Sequence, residues 1–120
     1  MTSAQIAHYR AAARLWRETE QRALAAREQR AWDTARQAAR ELRAVYDVER
    51  VVVFGSLARP GHFTLWSDID IAAWGLKPEA TFRAIGTAMD CSAEFAVNLV
   101  DVTMCPSALL ESIEREGVDV

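Results

Sequence analysis

The sequence predicts a small α/β (α+β) domain, a sheet covered by helices, behind a long N-terminal helical extension. Three observations carry this. Residues 4–46 contain no Gly or Pro; from residue 51 short apolar runs alternate with helix-like segments; and Gly and Pro stand at the joints between them.

The leading segment is crowded with Ala, Arg, Gln, Glu and Leu, all strong helix formers. Ala31, Ala35, Ala38, Leu42 and Val45 recur at helical spacing and lead directly into the first apolar run, so this half is expected to dock on the sheet. The earlier half has a thinner stripe of Ile6, Tyr9, Ala13 and Trp16. As one rod the segment would span roughly 65 Å at 1.5 Å per residue. A break near Trp32, Asp33 and Thr34, with Asp33 as a cap, is the alternative, and the sequence leaves rod and hairpin both open. Residues 1–30 are therefore read as an extension, and residues 31–120 as the domain.

Val51–Phe54 reads as a first strand and Asp68–Trp74 as a second. Lys77 and Pro78 open a helix to about Asp90, with Pro78 suited to its first turn. Ala96–Val102 is a third strand, Pro106 opens a last helix, and Gly117 closes it.

Composition narrows the function classes. At 120 residues, 51% hydrophobic and 26% charged, the chain is one globular domain's worth. No apolar run approaches the ~20 residues of a membrane-spanning helix. The opening residues lack the basic start and apolar core of a secretory signal, which points to a cytoplasmic protein. Cys91 and Cys105 lack a CxxC partner and read as reduced core thiols, with Met104 beside them as core filler. Residues 1–50 carry ten Arg against seven acids, whereas residues 51–120 carry four Lys/Arg against ten acids. The Arg-rich half mixes in Glu at helical spacing (Arg14, Glu18, Arg22), which reads as a solvated helix face and makes direct nucleic-acid binding the weaker reading. Trp16 and Trp32 on so polar a helix point to a partner surface, in their own domain or in another chain, including an oligomer through this helix.

The chemistry concentrates in "VVVFGSLARPGHFTLWSDIDIAAWG", residues 51–75. Alternation along a strand puts Asp68 and Asp70 on one face and Ile69 and Ile71 on the other. Paired carboxylates repel, and a divalent cation resolves the repulsion; hard oxygen ligands in this arrangement suit Mg²⁺ completed by substrate phosphates. Trp66, Ile69, Ile71, Ala72, Ala73 and Trp74 read as buried flanks, which makes solvated acids awkward there. Gly55 directly after a strand lets backbone amides approach an anion, Ser56 adds a hydroxyl donor, and Arg59 one turn on supplies counter-charge. A P-loop is excluded, because GxxxxGK[ST] is absent. His62, Trp66 and Lys77 lie nearby. His62 and Lys77 are best read as surface positions, and Trp66 as a nucleobase stacker or as packing beneath its loop.

Gly55 and Ser56, then eleven residues, then Asp68, Ile69 and Asp70, resemble the signature of the minimal nucleotidyltransferase (MNT) domains of the DNA polymerase β-like nucleotidyltransferase superfamily. The resemblance continues through "FAVNLVDV" and "CPSALLESIEREGVDV", and so covers residues 31–120. It implies a mixed sheet flanked by helices, a nucleotide triphosphate held by Gly55 and Ser56, and Mg²⁺ held by Asp68 and Asp70. It also implies the antitoxin of a HEPN/MNT pair. Some members transfer AMP from ATP to a tyrosine of the paired HEPN ribonuclease toxin and silence it. Two departures stand out. Pro60 follows Arg59 where the family has Gly, with Gly61 one later. Asn98 occupies the place of a third carboxylate, leaving Asp101, three residues on, as the substitute acid. By alternation Asp101 lies on the side of Val97 and Leu99, opposite Asn98. The reading of another class is a binding module that neutralises its toxin by contact over a weakened site. A small-molecule transferase ranks last for want of an acceptor-binding domain.

Overall fold

In the computed structural model, which describes residues 1–120, the leading segment is a single unbroken helix, α1 (Ser3–Tyr46). Thr2 caps it reciprocally: its hydroxyl accepts from the Gln5 amide, and the Gln5 side chain accepts from the Thr2 amide. The far end stops at Asp47 in the left-handed region, φ 55°, whose amide donates back to the Arg43 carbonyl. The rod therefore wins over the hairpin. Asp33 caps nothing; it sits mid-helix beside Arg36, at 3.4 Å. With no Gly or Pro to break the ladder, the rod sets the molecule's long dimension, 69 × 29 × 18 Å.

Four strands follow: β1 (Arg50–Phe54), β2 (Ile69–Trp74), β3 (Val97–Asp101) and β4 (Val118–Asp119). Their order is β3-β2-β1-β4, with β1 antiparallel to β2 and β4, and β2 parallel to β3, a mixed sheet. Helices α2 (Thr81–Asp90) and α3 (Ser107–Glu116) lie between β2 and β3 and between β3 and β4 in the chain. Pro78 opens a single 3-10 turn, Pro78–Ala80, that leads into α2. β4 is absent from the sequence expectation. Two residues are too few to show a period, and the strand is held instead by Arg50, which donates to Asp119 and Glu114 and lies over the Trp74 ring at 4.4 Å.

The sheet has two apolar faces. Val51, Val53, Ile69, Ile71, Ala73, Val97 and Leu99 meet Ala31, Ala35, Ala38, Ala39 and Leu42 of α1 and Ala84 and Ala88 of α2 in the main core. Alanines at the contact let the helices approach the sheet closely and pack densely. Val52 and Ala72 face Ile113 of α3 on the other side. Gly117 is needed there, since a Cβ would come within 2.3 Å of Val52 Cγ1. Three expected core positions are corrected: Val45, Trp66 and Met104 are exposed. Trp32, expected to find a surface in its own domain or another chain, is half-buried against the core of its own domain. Val45 lies between Leu42 and Tyr46, which carry the packing at this end of α1, and Trp66 stands on a turn closed by Thr64 and Ser67.

α1 reaches the domain through two arginines that precede the alanine stripe. Arg27 lies over Phe95 at 4.6 Å and over Phe63 at 5.7 Å, and Arg30 donates to Glu94 at 2.8 Å. Nearer the N-terminus, Ile6, Tyr9, Leu15 and Trp16 are exposed. No helix is long and apolar enough to cross a membrane.

Candidate nucleotide site

The antiparallel register sets Phe54 opposite Asp70, so the residue after β1, Gly55, lies against the Asp70 side chain. Gly55 has φ +71°, and a Cβ on it would stand 2.6 Å from Asp70 Oδ2. Glycine is required here twice, by its backbone angle and by the carboxylate beside it. Ser56 follows in a one-turn 3-10 helix, Gly55–Ala58, anchored by buried Leu57.

On the other side, β2 and β3 pair Asp70 with Asn98, and the Asn98 amide donates to Asp70 Oδ1 at 3.1 Å. The two oxygens of Asp70 are thus framed separately, one by an amide and one by the Gly55 backbone. Both side chains stand on the α3 face of the sheet, beyond the part that α3 covers. Asp68 precedes the first paired residue of β2 and is exposed. Burial raises the Asp70 carboxyl above the usual carboxylate range; the Asn98 amide opposes this, and the charge of Asp68 adds to the rise.

Asp101 is corrected. It is 4% exposed on the α2 face of β3, opposite Asn98. It accepts from Thr81 Oγ1 at 2.8 Å, from Thr103 Oγ1 at 2.8 Å and from the Thr103 amide at 3.0 Å. No bulge turns it toward Asp70, so it ties β3 to α2 and cannot act as the third acid of this site. Arg59 is also committed elsewhere, to Glu116 of α3 at 2.8 Å. Nothing local signals that partner, which lies 57 residues on. His62 and Lys77 are exposed.

No group of three or more His, Cys, Asp or Glu side chains converges on a metal position. A protein-only cage for a divalent ion is absent; two carboxylates, Asp68 and Asp70, remain, a donor set that suits an ion sharing its shell with phosphates. The site is an open shelf: the depressions on the surface have other linings, such as Tyr46, Lys77 and Arg83 where α1 meets α2.

Sheet order, the Gly-Ser turn and the carboxylate beside it together define a nucleotidyltransferase fold. The chain is similar to crystal structures of the toxin–antitoxin MntA–HpeT: to one variant at 22% identity and TM-score 0.56, over 71% of this chain and 69% of that one. A second variant gives 19% identity and TM-score 0.56 over 71% and 70%. A toxin–antitoxin crystallised with AMP-PNP gives 20% identity and TM-score 0.54 over 72% and 69%. No family model and no curated protein matches the chain.

Proposed function

We propose that the chain is the antitoxin of a toxin–antitoxin pair and a nucleotidyltransferase that moves AMP from ATP to a tyrosine of a partner HEPN ribonuclease, in the cytoplasm. The observation that carries this reading is the Asp70 carboxylate held between the Gly55 backbone and the Asn98 amide, with Asp68 two residues away. The AMP-PNP in one similar structure supports a nucleotide here. So do the two aspartates, two positions apart, that are replaced by glutamate in another. In this reading residues 31–120 form the catalytic domain, and residues 1–30 extend it toward the partner or a second copy.

Asp68 and Asp70 would hold Mg²⁺, which when bound neutralises phosphate charge and orients the nucleotide. The Gly55 backbone and the Ser56 hydroxyl would meet the outer phosphates, and Arg59 would add a cation if it left Glu116. The acceptor phenol oxygen bonds to the α-phosphorus, the bond to the bridging oxygen of the β-phosphate breaks, and pyrophosphate departs. The phenol proton passes to solvent water, for want of a dedicated acceptor. The Asn98 amide has no useful basicity, and Asp101 faces away. Loss of a general base slows such a step by about 10²–10⁴-fold.

Transfer from labelled ATP to the partner toxin is therefore expected to be slow, and faster by about 10²-fold or more in Asn98→Asp. Equal rates in the two proteins would sink the base argument. No labelling in either would sink the transferase reading. A second reading, neutralisation by contact alone, is favoured by the same Asn98. Toxin silenced without any ATP would establish it.

A further inference from the structure

We infer that this site takes one divalent cation with its nucleotide and not a pair, and that Asn98 is the residue that sets the count. The inference rests on the nucleotide site proposed above and adds its stoichiometry. Two dications that share a phosphoryl group sit about 3.5–4 Å apart and bring four positive charges into one pocket. Carboxylates that bridge them must offset that charge. The site offers two, Asp70 on this face of the sheet and exposed Asp68 just before β2. The next carboxylate along β3, Asp101, is on the opposite face with its oxygens engaged by Thr81 and Thr103.

The position from which a third carboxylate would reach a bridging ion belongs to Asn98, directly in register with Asp70. Its orientation is fixed by chemistry. An ionised carboxylate only accepts, so the side of Asn98 that meets Asp70 Oδ1 must be its NH₂ group, and the contact is 3.1 Å. Those donor hydrogens point at Asp70 Oδ1. They occupy its Oδ1 and present positive partial charge to the approaching ion. Oδ2, against the Gly55 backbone, is the oxygen left to work with Asp68. The shelf thus holds a nucleotide's own cation, while a second cation meets an amide where it needs an anion.

The test counts metal against nucleotide on the protein. Equilibrium dialysis with Mn²⁺ and α,β-methylene ATP, without acceptor, is expected to retain one Mn²⁺ per bound nucleotide in the wild-type chain and in Asn98→Ala. Asn98→Asp is expected to retain two. Two Mn²⁺ per nucleotide in the wild type overturn the inference. So does a single Mn²⁺ in an Asn98→Asp protein whose melting curve matches the wild type. Should Asn98→Asp fail to fold, the wild-type ratio alone decides. No nucleotide bound, or nucleotide bound without metal, overturns the proposed site itself, an outcome distinct from a ratio of two.

Discussion

At the residue scale, Gly55 shows how one position joins backbone geometry to site chemistry. The sequence makes Gly55 legible as a glycine after a strand, with a ligand as the reason. Its second reason, the Asp70 carboxylate 2.6 Å from where a Cβ would stand, depends on β1–β2 register and is invisible in the sequence. Gly55→Ala must pay for a left-handed angle and push Asp70 aside, a cost of about 1–3 kcal/mol. Chemical denaturation is expected to report that loss, and calorimetry the loss of metal-dependent ATP binding. Unchanged ATP binding in this variant would separate Asp70 from the site. Asp101 gives the complementary lesson. Strand alternation alone placed it on the far face from Asn98, and the structure adds the threonines that hold it there.

At the element scale, α1 and β4 mark the two limits of legibility. The helical character of α1 is legible because 3.6-residue periodicity and the absence of breakers act over dozens of residues, though one rod and a hairpin remain equally open in the sequence. Where it begins to bind the domain is not legible, because Arg27 and Arg30 look like the other surface arginines until Phe63, Phe95 and Glu94 fold against them. Deleting residues 1–19 is expected to leave the melting temperature within about 1 °C, since surface positions without partners change stability little. Deleting residues 1–30 removes both arginine contacts and is expected to lower it by several degrees, the scale on which about 1–2 kcal/mol acts in a small domain. Equal melting of the two truncations would show that those contacts carry no stability. β4 depends on charge in a way its two residues cannot reveal. Arg50 holds the Asp119 carboxyl below its usual range, so the folded state binds that proton more weakly than the unfolded chain. The resulting stability is present at neutral pH and is lost as pH falls below the unfolded carboxylate range, near 4. Asp119→Asn is thus expected to melt a few degrees below wild type at pH 7, with the gap narrowing as pH falls below about 4. A gap that does not narrow on acidification would exclude the ion pair as its origin.

At the scale of the whole molecule, α1 makes the chain far from spherical. Its radius of gyration is 18.9 Å, whereas a compact 120-residue domain has about 14 Å. Small-angle scattering from the monomer is expected to return the larger value, and a value near 14 Å would mean that α1 folds back in solution. The rod also governs friction. A 69 Å pin tumbling end over end sweeps out a much larger sphere than its volume fills, so it diffuses as a heavier particle would. On a sizing column a single 13.4 kDa chain will therefore elute ahead of globular standards of its mass and imitate a dimer. Only a shape-independent mass, from light scattering or native mass spectrometry, can tell one such pin from two.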